Sequence, residues 1–150
     1  MQSGDTSGTV PFTIDFADNA GNAGTQVTAV TGGSGVTFDK TAPTLVSAAK
    51  DLVTQITVTL SELAAAASIT KANAGGFTVF ETGTPGTTYA VSAIAPGATN
   101  DLVVLTVADM TASAAAGVTV AYAAGGNGTV AAPTGNLMAT NATGVVVAPW

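Results

Sequence analysis

The feature that most constrains this chain is a two-residue alternation of apolar and hydroxyl-bearing side chains that recurs along most of its length. In QITVTLSE, Ile56, Val58 and Leu60 fall on one side and Thr57, Thr59 and Ser61 on the other. A helix scatters such a stripe around its circumference, whereas an extended strand keeps it on one face, so each run predicts a half-buried strand. The pattern returns at Val10, Phe12, Ile14 and Phe16, with Thr13 and Asp15 opposite. It returns again at Phe77 and Val79, at Tyr89, Val91 and Ala93, at Val103, Leu105 and Val107, at Val118, Val120 and Tyr122, and at Val145 and Val147. Turn-forming stretches separate the runs at Gly32 to Gly35, Lys50 to Asp51, Gly83 to Gly86, Pro96 to Asp101, Gly125 to Gly128 and Gly144. Short strands punctuated in this way predict an all-β antiparallel sandwich or barrel. The one stretch that suits a helix, Leu63 to Gly75, is long enough for a turn or two only.

From Thr44 onward, strands are predicted near 44–49, 55–61, 76–81, 88–94, 102–108, 117–123 and 144–149, enough for a complete sandwich over 41–150. Residues 1–40 add two or three more, near 9–16, 25–30 and 35–38, too few to enclose a core. They form a partial β module. VPFTIDFADNAGN, from Val10, echoes VTVAYAAGGNGTVAAPTGN, from Val118: each is an alternating strand followed by a small-residue turn ending in Gly-Asn. Residues 1–40 therefore read as the closing hairpin of a preceding copy of the module, or as an assembly strand. Left in water, Val10, Phe12, Ile14 and Phe16 would each forgo about 1.5–3 kcal/mol of burial, which makes them the expected assembly face.

Charge removes several functions. Only 8% of the residues are charged, with a net charge of −6 and no Arg or His. Binding to nucleic acid or to an anionic membrane needs clustered cations, so neither is expected. Without Cys or His the chain lacks thiol nucleophiles, disulfides, Cys-based zinc sites and the commonest general base. No apolar run is long enough for a membrane-spanning helix, so no membrane insertion is expected. A surface so poor in charge repels its neighbours weakly, which favours packing against other copies.

DNAGN at Asp18 to Asn22, and VTFDKTAPTLVSA running into TQITVTLSE, resemble the tandem bacterial immunoglobulin-like (Big-type) repeats of large secreted and surface proteins. In those repeats an Asp-bearing AGN turn precedes the last strands, and an Asp-Lys-Thr-Ala-Pro-Thr linker joins modules. The resemblance implies an immunoglobulin-like sandwich at 41–150 and a non-catalytic structural role in adhesins, surface-layer or filamentous proteins. It implies an extracellular or cell-surface location, with other copies or adjacent immunoglobulin-like modules as partners. It also implies spacing and self-association, including a filament built by strand addition. A carbohydrate-binding or adhesive domain is the alternative from another class. Calcium sometimes stiffens such modules near their junctions, and here the match reaches Asp18, Asn19 and Asn22 in the turn and Asp39 in the linker. In the second copy, Ala132-Pro133-Thr134-Gly135-Asn136 has lost the acid.

Calcium takes six to eight oxygen ligands. Asp15, Asp18, Asn22 and Asp39 would supply them if the hairpin brings turn and linker together. No cofactor is otherwise required. The opposing expectation is a plain turn, since Asp, Asn and Gly are favoured in turns on local grounds. Ser68 to Lys71 matches the S-x-x-K pattern of serine acyltransferases without its partner motifs, and Glu62 and Glu81 are expected at solvated strand ends. TGGSG and AGGNG lack phosphate-loop spacing. The aromatic residues, Trp150 among them, are expected mainly in the core, and Asn127 and Asn141 open glycosylation sequons.

Overall fold

The computed structural model describes residues 6–69, 75–111, 117–125 and 128–148. The chain divides into two compact units, Met1–Thr41 and Ala42–Trp150, and is almost entirely β where it is described.

In the first unit, β1 (Gly8–Thr9) pairs antiparallel with β2 (Thr37–Phe38). The strand expected over 9–16 ends at Thr9, with one more hydrogen bond beyond it, from Val10 N–H to Val36 O at 2.8 Å. Pro11 follows; its nitrogen lies on the edge turned away from β2, where it removes a donor from the outer side of the strand. Beyond it the chain keeps only isolated bridges, Ile14 with Val27 and Ala17 with Ala23, so the strand expected over 25–30 survives as one contact.

The second unit holds β3 (Leu45–Leu52), β4 (Gln55–Leu60), β5 (Phe77–Glu81), β6 (Thr88–Tyr89), β7 (Val91–Pro96), β8 (Leu102–Val107), β9 (Val118–Tyr122) and β10 (Asn141–Ala148). Their hydrogen-bonded order is β6-β5-β9-β10-β3-β4-β8-β7. Every pairing is antiparallel except that of β10 with β3, where Val147 meets Ala48 and Ala148 meets Ala49 in parallel. Lettered along the chain as A, B, C, C′, D, E, F and G, the two halves read A-B-E-D and C′-C-F-G, the strand order of an immunoglobulin sandwich. β10 joins them by pairing with β9 early and β3 late, across a register shift between Asn141 and Val145.

Alternation explains why the halves close on each other. Ile56 and Val58 of β4, Val103 and Leu105 of β8, Phe77 and Val79 of β5, and Val118, Val120 and Tyr122 of β9 belong to one buried cluster. Phe77 and Tyr122 pack with ring centroids 4.9 Å apart. β9 departs from the half-buried expectation, because all five of its residues are buried.

One strand was expected over 88–94, and two are found. β6 serves the β5 half and β7 the β8 half, with Ala90 between them accepting a hydrogen bond from Ala108 N at 2.9 Å. Both halves turn their inner faces to the same core, so a strand that crosses over keeps its period. The alternation through Tyr89, Val91 and Ala93 therefore carries no mark of the switch. The expected helix is reduced, in its described part, to a three-residue 3-10 turn at Ala66–Ser68; positions 70–74 lie outside the described residues.

Candidate functional site

DNAGN folds as a closed loop held by its own acid. Asp18 Oδ1 accepts hydrogen bonds from the N–H groups of Ala20 and Asn22, each at 2.9 Å, and Oδ2 accepts one from Asn22 Nδ2 at 2.8 Å. These donors hold the carboxyl below the ordinary carboxylate range, the Asn22 side chain contributing most. The backbone closes through Asp18 N to Asn22 O and Gly21 N to Asp18 O, both 3.0 Å, with Gly21 at φ 90°.

The second unit contains the same loop without the acid. Ala132 N donates to Asn136 O and Gly135 N to Ala132 O, both at 2.9 Å, with Gly135 also at φ 90°. The flanking contacts match at the same sequence separation. Ala17 bridges Ala23 as Ala131 bridges Leu137, and Gly24 N donates to Phe16 O as Met138 N donates to Val130 O, both 2.8 Å. In each unit an antiparallel pair flanks the loop, β1 with β2 in one and β9 with β10 in the other. The two hairpins share a construction, and their surroundings differ sharply.

Val130 and Met138 are fully buried, whereas their counterparts are Phe16, 55% exposed, and Gly24, on which the Phe16 ring lies. A methyl group built on Gly24 would come within 2.1 Å of that ring, so the large residue of the pair has changed sides. Val10 and Val36 are 44% and 68% exposed, and with Phe12 and Val30 they line an open, largely apolar cleft of about 420 Å³. Of the expected assembly face, Val10 and Phe12 border this cleft, while Ile14, 52% exposed, and Phe16 are not among its lining residues.

The four expected calcium ligands have local partners. Asp18 and Asn22 hold each other, Asp15 Oδ1 accepts from Gln26 Nε2 at 2.7 Å, and Asp39 Oδ1 accepts from Thr41 N at 2.9 Å and Ser7 Oγ at 3.2 Å. Among the described residues no three acidic side chains gather as a metal-binding group.

Other sequence readings change at close range. Glu81 is no solvated strand end: it is 4% exposed, and its Oε1 accepts a hydrogen bond from the Tyr89 hydroxyl at 2.5 Å. Its place on the same face of β5 as Phe77 and Val79 was the signal available in sequence. Ser68 Oγ accepts from Ala131 N at 2.9 Å and contacts the carbonyls of Ala65 and Ala131 at 2.7 and 3.1 Å, joining two loops. Lys71, the other half of the S-x-x-K pattern, lies outside the described residues, as do Asn127 and Trp150. Asn141 Oδ1 accepts from Thr143 Oγ1 and Gly144 N, at 3.0 and 2.9 Å, within the irregular stretch of β10. The Tyr122 hydroxyl is buried with no well-formed hydrogen bond; burial raises this phenol, opposed more weakly by the Val130 backbone.

With strand order and hairpins established, comparison with solved structures gives a match. The fold recurs in part of an S-layer protein. The crystal structure of the S-layer protein rSbsC(31-844) matches 66% of this chain with a TM-score of 0.50 and 19% sequence identity. The match spans 12% of that protein's chain. No protein-family model matches the chain, and no curated protein matches its sequence. No helix among the described residues is long and apolar enough to cross a membrane.

Proposed function

We propose that the chain is a non-catalytic structural element of a bacterial extracellular or cell-surface protein, a Big-type immunoglobulin-like module preceded by the closing hairpin of another. The observation that carries this reading is the shared hairpin: the loops at Asp18–Asn22 and Ala132–Asn136 have the same backbone hydrogen bonds and the same glycine conformation. Two such hairpins in one chain, joined through FDKTAPT, are the signature of modules repeated in tandem. Their work is spacing and self-association.

Two further observations support the surface role. The fold occurs in part of an S-layer protein. The exposed apolar residues of the first unit, Val10, Ile14, Phe16, Val30 and Val36, call for a covering partner. A head-to-tail contact need not close, so it builds chains rather than dimers. Light scattering over a concentration series, with electron microscopy of the most concentrated sample, tests this. Growth into linear assemblies is expected, and a monomer at every concentration would remove the self-association role.

A further inference from the structure

The parallel pairing in the second unit, unlike any other among the described residues, joins the unit's first strand to its last. Val147 of β10 meets Ala48 of β3, and Ala148 meets Ala49. Because the two strands run the same way, the chain enters β3 at one end of the pair and leaves β10 at the opposite end. β10 reaches β3 only after the register shift between Asn141 and Val145. Gly144, within that shift, has φ 74°, and a Cβ built on it would come within 2.5 Å of Val120 O. The bend that carries β10 from β9 across to β3 therefore depends on glycine.

We propose that the β3–β10 pairing is a shear clamp, which makes the second unit an element that resists tension applied along the chain. The inference rests on the spacer reading for the source of the load and adds how the unit withstands it. Tension drawn through the chain pulls the start of β3 and the end of β10 in opposite directions along the strands. The hydrogen bonds between them are then stretched together, whereas a hairpin pulled from its two open ends parts one bond at a time. Side chains oppose sliding as well. Ala48 and Val147 are 2% and 6% exposed and belong to the core, and a slip of one residue would turn Val147 to the outer face. The entering chain is held on both sides. The carbonyl of the fully buried Pro43 accepts from Ala139 N at 2.8 Å, while Thr44 N donates to Ser61 Oγ at 2.9 Å and Thr44 O accepts from Ser61 N at 3.0 Å. β3 therefore cannot move along its axis without breaking its ladder to β4 too.

The test pulls single molecules of the full chain in two directions. The chain has no Cys, so cysteines introduced in pairs are its only thiol attachment points. Thr44→Cys with Ala148→Cys loads the pairing in shear. Thr44→Cys with Leu137→Cys places both handles near the end of the unit where Pro43 meets Ala139, and so peels β10 from β3. Thr44, Leu137 and Ala148 are all exposed, and residues 1–43 lie outside the loaded path in either direction. Forced unfolding follows the rate of opening rather than equilibrium stability, so one fold can be strong in one direction and weak in another. A several-fold higher unfolding force is expected along 44–148 than along 44–137. Equal forces, or a lower force along 44–148, would overturn the clamp. A chain that stays monomeric yet resists along 44–148 keeps the clamp and loses the self-association role. One that assembles but opens equally easily in both directions loses the clamp alone.

Discussion

The Tyr89 hydroxyl donates to Glu81 Oε1 at 2.5 Å across the β5–β6 pairing, placing a carboxylate at the margin of an otherwise apolar core. The bond pushes the phenol up to about 12, with Glu81 as the main cause and burial second. A phenol raised in the folded state stabilises the fold fully below its unfolded value near 10, and the contribution is lost as pH rises through about 12. Tyr89→Phe should lower stability at neutral pH by about 1.5–3 kcal/mol, the worth of one hydrogen bond to a charged acceptor. Denaturant melts at neutral pH and near pH 11 check both claims: the wild-type loss between them should shrink in the variant.

Gly135→Ala should destabilise the second unit by about 1–2 kcal/mol, because left-handed backbone crowds a Cβ against the neighbouring carbonyl. Gly21→Ala, at the same φ of 90°, should loosen the first unit's loop. Hydrogen exchange at Asn22 and Ala132, whose N–H groups bond within the two loops, reads the comparison. Faster exchange in one variant alone would mean that the two turns differ.

Asp18→Ala should open the first loop, since one carboxylate accepts from Ala20, from Asn22 N–H and from the Asn22 side chain. Because its folded pKa is lowered, the carboxylate's contribution is present above the unfolded value near 3.8 and is lost as pH falls through the folded one. Exchange of the Ala20 and Asn22 amides across an acid titration checks this. A calcium ion at Asp18 would have to displace these donors, so millimolar calcium and a chelator should give the same wild-type melting curve. A rise in melting temperature with calcium would establish the metal reading instead.

Ser68→Ala should cost about 1–3 kcal/mol, since the Ala131 N–H, in a residue only 8% exposed, loses its acceptor. Chemical denaturation measures it. Ser68→Thr, which keeps the hydroxyl, should recover part of the loss.

Much of the fold was legible because a period of two is a local property. Ile56, Val58 and Leu60, and likewise Val103, Leu105 and Val107, are buried as the alternation requires. Glu81 was misread because it is charged: its inward position followed from Phe77 and Val79, but the hydroxyl that makes burial tolerable belongs to Tyr89, eight residues away. Val10 and Phe12 were legible as unsatisfied apolar residues. Ile14 and Phe16 follow the same alternation but are not among the residues that line the cleft, Ile14 bridging Val27 instead.

By itself the sequence determined an all-β chain, the positions of most strands, and a loop at DNAGN echoed at APTGN, because alternation and turn chemistry act between near neighbours. Only the tertiary structure decided that β6 and β7 belong to different halves, that β10 joins the halves through β3, and that Asp18 holds its own turn. It also decided that the two hairpins are built alike while one is buried and the other open. Those outcomes depend on which strand edges and faces meet across long stretches of chain, and no local pattern records such meetings.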